Sequence, residues 1–226
     1  EPGEEPAQLA VPEGQGEARF VEGVEGKALK LGGGHFVEAG NMIEFSGNDP
    51  ITLATWIQPR SVQNGTIMSI LKPEDDRATG FSWKLVDNRV QVNFGPRWLD
   101  DAIIIRTLEP LPSDHWSHLA LVHDGSQLAP GLKLYLNGEL QQVEVLLDIF
   151  TGTFTTSPTV QFGIQGDQQG LDGELDETRF YKRALRPREI RVLATRESIQ
   201  QIIAMPEEDR REGQRDKLHR LFMDRY

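Results

Sequence analysis

Two stretches of the 226-residue sequence combine side-chain types that could hold a ligand. In Pro96-Arg97-Trp98-Leu99-Asp100-Asp101 a tryptophan stands beside a guanidinium and two carboxylates, in a segment read as a loop. An indole offers a plane on which a sugar ring can stack, while Arg97, Asp100 and Asp101 can bind its hydroxyls. The competing reading is that Trp98 caps the core and the charges only solvate the loop. A second acidic loop is Pro73-Glu74-Asp75-Asp76-Arg77. His115, His118 and His123 invite a zinc reading, but strand alternation sends His118 and His123 to opposite faces, and His115 precedes the strand. Gly32-Gly33-Gly34 is not a phosphate loop, because no Lys-Ser/Thr follows and no helix begins there. Cysteine is absent, which excludes disulfides, thiol nucleophiles, thiolate metal sites and covalent haem attachment in this chain.

The elements that would position these groups are short. Ile51–Ile57, Thr66–Leu71, Phe81–Val86 and Arg89–Phe94 are alternating or continuously apolar runs separated by Gly, Asn, Asp and Pro, the spacing of an all-β sandwich. Asp87-Asn88 and Asn137-Gly138 join flanking runs directly and read as two-residue hairpin turns, since these residues tolerate positive φ. Trp56, Trp83 and Trp116 fall in strand motifs and read as core or sheet-face residues.

After Tyr181 the period changes. Pro187 opens a helical pattern of Ile190, Leu193, Ala194, Ile199, Ile202 and Ile203; Met205-Pro206 interrupts it, and Leu218, Leu221 and Phe222 mark a second helix. Two short C-terminal helices are therefore expected, docked on the domain's edge to cover their apolar faces. Residues 1–23 are rich in Glu, Pro and Gly and read as a linker. The expected organisation is linker 1–23, sandwich 24–186 and helical extension 187–226.

Charge narrows the partners. Residues 1–181 carry 12 basic against 27 acidic side chains, net −15, and residues 182–226 carry 12 against 8, net +4. An acidic body lacks the basic footprint of a nucleic-acid binder. No apolar run approaches the roughly 20 residues of a membrane span, so no membrane insertion is expected.

Five motifs in order carry a family resemblance: Gly26–Leu31, Ile51–Pro59, Asp114–Gly125, Leu132–Gly138 and Leu171–Leu185. Over about residues 24–192 the chain resembles the laminin-G-like, concanavalin-A-like jelly-roll domains of bacterial secreted proteins. The resemblance implies two antiparallel sheets, often with a ligand-facing surface. Some members of that fold are glycan hydrolases with Glu-x-Asp-x-x-Glu along a strand, placing two carboxylates about 5 Å apart. Here Glu174-Leu175-Asp176-Glu177-Thr178-Arg179 ends in Arg, so catalysis is not expected. In relatives the acid at Asp176 helps hold a structural calcium or ties the first and last strands by hydrogen bonds; no cofactor is otherwise required. The early Phe-Asp-Gly turn that supplies another acid is replaced by Leu31-Gly32-Gly33.

The tail, from Ile203-Ala204-Met205-Pro206 through Arg210, Gln214, Leu218 and Phe222, is similar to segments of large exported bacterial proteins that also carry a c-type haem module. That similarity implies an exported parent protein. Two readings follow: a polysaccharide-binding module, or a structural module that spaces or docks neighbouring domains. For the first, the acidic body favours a neutral or weakly cationic saccharide held by Trp98 with Arg97, Asp100 and Asp101.

Overall fold

A computed structural model describes residues 9–10, 18–32, 34, 36–40, 43–71, 79–156, 159–163 and 170–225. The acidic loop at 73–77 and Gly33 lie outside the described residues. Strands β1 (Leu9–Ala10), β4 (Val37–Ala39), β6 (Gly65–Leu71), β7 (Gly80–Val86), β8 (Arg89–Arg97), β9 (Asp101–Thr107), β13 (Val143–Ile149) and β14 (Val160–Phe162) form one sheet in the order β1-β4-β14-β6-β7-β8-β9-β13. Strands β2 (Arg19–Glu22), β3 (Lys27–Leu31), β5 (Ile51–Pro59), β10 (Ser117–His123), β11 (Leu132–Leu136), β12 (Glu139–Leu140) and β15 (Gly173–Tyr181) form the other, in the order β12-β11-β10-β5-β15-β3-β2. Neighbouring strands in both sheets run antiparallel, giving the jelly-roll-like sandwich expected.

Alternation explains why the sheets stack. Met68, Ile70, Phe81, Trp83, Val92, Phe94, Ile103 and Ile105 point inward from the larger sheet, and Leu29, Leu53, Ile57, Leu119, Leu121, Leu134 and Leu175 from the smaller. Each such side chain removed from water contributes about 1.5–3 kcal/mol before the entropy of ordering is counted. Both hairpin expectations hold: Asp87 and Asn88 have φ of 52° and 58°, Asn137 and Gly138 of 50° and 88°. Positive φ at both central residues matches the turn to the right-handed twist of the strands. Asn88 also fastens its turn to the rest of the sandwich, accepting from Gln63 N at 2.9 Å and donating to Ser113 Oγ at 2.9 Å.

Two expectations about the ends need correction. Arg19–Glu22, assigned to the linker, is an edge strand paired with β3, because edge pairing uses backbone groups that composition does not reveal. The tail forms three helices, α1 (Pro187–Leu193), α2 (Ile199–Ala204) and α3 (Glu212–Arg225), where two were expected. The first apolar run breaks at Ser198, whose Oγ accepts from Gln201 N at 3.2 Å while Gln201 Oε1 accepts from Ser198 N at 2.8 Å. That reciprocal cap starts a new helix.

The tail lies on a face of the smaller sheet and not only at an edge. Ile190 of α1 packs with Ala54, Ala120, Val122, Tyr135 and Leu185 in a second apolar cluster outside the main core. α3 is held to α1 by Arg191, which meets Asp216 at 2.7 Å and Glu212 at 3.0 Å, and Lys217 Nζ donates to the Thr195 and Glu197 carbonyls at 2.9 Å each. Ile203 and Phe222, expected to dock, are 60% and 62% exposed. Polar links rather than apolar burial fix that end of the tail.

Candidate functional site

The Trp98 segment is the turn between β8 and β9. Asp101 Oδ1 accepts from Thr151 N at 2.8 Å and Gly152 N at 3.2 Å, so this acid anchors the neighbouring 151–152 segment. Asp100 pairs with Arg97 across the turn. Trp98 is partly buried, and its Nε1–H is buried without a hydrogen-bond partner among the described residues. Leu99, 91% exposed, is the most open apolar side chain at the tip. The four residues are contiguous, as the sequence requires, but two of their polar groups satisfy each other and Asp101 serves the scaffold.

In the strand whose motif ends in Arg179 and so lacks the second catalytic carboxylate, Glu174 and Asp176 are both used structurally. Glu174 is buried and paired with Arg60. Asp176 is buried, its Oδ2 accepting from Glu25 N at 2.9 Å and its Oδ1 from Glu177 N at 2.8 Å. The first of these bonds ties the β2–β3 turn to β15, and Gly23 is needed beside it because a Cβ there would stand 2.4 Å from Oδ2. Among the described residues no three His, Asp or Glu side chains gather as a metal-binding group, and both Asp176 carboxylate oxygens accept backbone amides.

The histidines separate as alternation requires. His123 faces the core, its ring 4.5 Å from that of Phe94. His118 faces the other way, 5.3 Å from the Trp56 ring, which Arg196 from the tail covers at 5.6 Å. Burial drives the His118 pKa down from 6.5 to about 3, with a smaller push from Arg179. Burial also lowers the His123 pKa, against the opposing pull of the Asp49 carbonyl.

A more coherent polar surface lies on the outer face of the larger sheet, away from the core. Register places Thr66, Lys84, Gln91, Arg106 and Glu144 side by side across five adjacent strands. Ser69, Ser82, Asn93 and Ile104 form the next row, with Gln161 and Glu38 continuing it on β14 and β4. Opposed residues share a face, so these side chains meet. Arg106 donates to Gln91 Oε1 from Nε at 2.9 Å and Nη2 at 2.6 Å, and Gln91 Nε2 donates to Asn93 Oδ1 at 2.8 Å. Glu144 is shared between Arg89 at 3.3 Å and Arg106 at 3.6 Å.

Beyond the serine row the facing residues of β7 and β8 are Gly80 and Gly95, which add no side chains before the Trp98 turn. The middle of the face is buried at Ser69, Ser82, Gly80 and Gly95, as are Thr66, Gln91 and Asn93, whereas Lys84, Arg106 and Glu144 at one end and Trp98 near the other are partly exposed. From Gln91 to Arg97 it runs about 20 Å at roughly 3.3 Å per residue. Sequence reasoning missed this face because its rows exist only once the strand order is known.

The described acids of the same face stand far apart. Its acids Glu38 and Glu144 sit on β4 and β13, six strand spacings apart in the sheet order. That is roughly 29 Å, against about 5 to 10 Å for the carboxylate pair of a glycosidase.

The chain belongs to the concanavalin A-like lectin/glucanases superfamily, whose pattern matches residues 31–191. Similar solved structures include the binding domain of Paraclostridial Mosquitocidal Protein 1, with TM-score 0.63 and 19% identity over 83% of this chain and 47% of that one. The botulinum neurotoxin serotype G binding domain gives TM-score 0.61 and 17% identity over 83% of this chain and 46% of that one. This chain therefore spans about half the length of the toxin binding domains. Domain 4 of AbnA, a GH43 extracellular arabinanase from Geobacillus stearothermophilus, in complex with arabinotriose, gives TM-score 0.54 and 20% identity over 84% of this chain and 88% of that one. No curated protein sequence matches the chain. At these identities the structures establish the fold; the two toxin structures are binding domains, and the arabinanase domain was solved with arabinotriose.

Proposed function

We propose that the domain is a non-catalytic saccharide-binding module of a larger exported protein, its ligand lying along the outer face of the larger sheet and reaching the Trp98 turn. The observation that carries the reading is the asymmetry of the two outer faces. Helix α1 covers the smaller sheet with an apolar contact, whereas the larger sheet carries a cross-strand network of amides and guanidinium groups whose Arg106, with Lys84 and Glu144 beside it, is partly exposed. Polar groups held in place by one another are pre-organised to bind sugar hydroxyls, and a face about 20 Å long suits a chain better than a single ring. The arabinanase domain, solved with arabinotriose, supports the substrate class, and the extracellular origin of that enzyme supports export. The tail's resemblance to segments of haem-bearing exported proteins is part of the same reading of the parent. Trp98 supplies a stacking edge at the far end, with Arg97, Asp100 and Asp101 fixing the turn.

The test is a panel of soluble polysaccharides measured by calorimetry at high protein concentration. Weak binding, micromolar to millimolar, is expected for at least one polymer. Loss is expected for Arg106→Ala, which removes the partly exposed guanidinium of the network, and a severalfold weakening for Trp98→Ala. Binding to no polymer, or binding untouched by both variants, rejects the reading. A docking role for the tail side is favoured by one observation, the α1–α3 layer on the smaller sheet, and would be compatible with a sugar on the opposite face.

A further inference from the structure

We infer that the Lys84 end of this face is a subsite for a carboxylate, so that the saccharide it takes carries uronic acid residues; the inference rests on the saccharide-binding reading above. Lys84 sits in the middle of β7, partly buried, between Thr66 and Gln91. Its ammonium has no hydrogen bond or ion pair among the described residues. Its neighbours on β8 are already engaged. Gln91 Oε1 accepts twice from Arg106, and Asn93 Oδ1 accepts from Gln91 Nε2. Glu144, the only acid in that row, is committed to Arg89 and Arg106.

Among the described residues three cations share one carboxylate, which leaves this patch locally positive within a body of net −15. An amine partly removed from water without a counter-charge is a destabilising arrangement, and burial together with Arg106 lowers the pKa of Lys84. An anion supplied by a ligand removes that conflict. Asn93 Nδ2, on the adjacent strand, is a second donor without a partner among the described residues. Diagonal positions on paired strands are roughly 7–8 Å apart, within reach of a lysine, so the two oxygens of one carboxylate can take a proton from each.

A single charge fits better than a polysulfate. The acidic body repels a densely charged polymer at long range, whereas salt at physiological strength screens that field over about 8 Å and leaves the contact at Lys84 intact. The overall charge thus argues for a neutral ligand while the local arrangement argues for a monoanionic one, and contact distance decides.

The experiment compares polygalacturonate esterified until its free carboxylates are sparse with the fully methyl-esterified form, and both with dextran sulfate, on the full chain by calorimetry. The acid form is expected to bind about tenfold more tightly than the ester, the range of one charge-assisted hydrogen bond. Lys84→Met should bring the acid down to the ester's affinity, while Lys84→Arg should keep most of the preference. Lys84→Gln serves if the Met variant fails to fold. Equal binding of acid and ester, a preference that survives Lys84→Met, or dextran sulfate binding as tightly as the acid form overturns the carboxylate subsite. In the first two cases the saccharide-binding reading stands; if neither pectin form nor any neutral polymer binds, both fall.

Discussion

Lowering the pH from 6.5 to 4.5 should cost this fold about 2 kcal/mol through His118 alone. In the folded chain the ring is buried against Trp56, and its pKa is depressed to about 3. The unfolded chain takes up a proton at about 6.5, so over this window it binds more protons than the folded state and stability falls as the pH falls. At 1.36 kcal/mol per pH unit per proton the integrated loss is about 2 kcal/mol, and His123, shifted in the same direction, adds to it. Glu189 acts lower. Its carboxyl is hydrogen-bonded by Arg183 and held down to about 2, so its contribution, present above 4.5, is lost only as the pH falls from there. Urea unfolding followed by tryptophan fluorescence at pH 6.5, 5.5 and 4.5 should show the midpoint dropping with an unchanged slope. His118→Leu should reduce the pH dependence by about one proton's worth, whatever it does to absolute stability. A His118→Leu curve running parallel to wild type across the window would refute the assignment.

Other consequences are more local. Ile190→Ala should cost about 2–5 kcal/mol by opening a cavity between α1 and the smaller sheet, and hydrogen exchange should show α1 and α3 losing protection before the strands do. Asp176→Asn should lower stability by about 1–3 kcal/mol, because two amides lose a charged acceptor, whereas calcium or a chelator should leave the wild-type Tm unchanged. Glu174→Gln should alter stability only and reveal no lost turnover of any β-glucan; a hydrolytic activity abolished by this change would show the strand to be catalytic. Asn88→Ala should destabilise by about 1–3 kcal/mol, since the Gln63 amide then loses its acceptor inside the protein.

Local patterns carried most of the fold. Alternation in Ile51–Ile57 and Phe81–Val86 and the Asp87-Asn88 and Asn137-Gly138 turns are decided within a few residues, and the structure repeats them. The extra helix boundary was also written locally, in Ser198 and Gln201, but the apolar period of Ile190 through Ile203 outweighed it. The polar face was not legible. Lys84, Gln91 and Arg106 each look like an ordinary outward residue of their own strand, and only the pairing of β6, β7, β8, β9 and β13 makes them neighbours. The Trp98 turn was legible as a cluster, but not that Asp101 would turn to the 151–152 amides, a contact 50 residues away in sequence.

The central claim, a saccharide on the outer face of the larger sheet, is tested most directly by nitrogen-15 chemical-shift mapping with an oligosaccharide of the best-binding polymer. The account predicts that the shifts gather on residues 82–84, 91–93 and 104–106 and extend to the 97–101 turn, with the tail helices silent. Shifts confined to residues 187–225, or none at millimolar ligand, would contradict it.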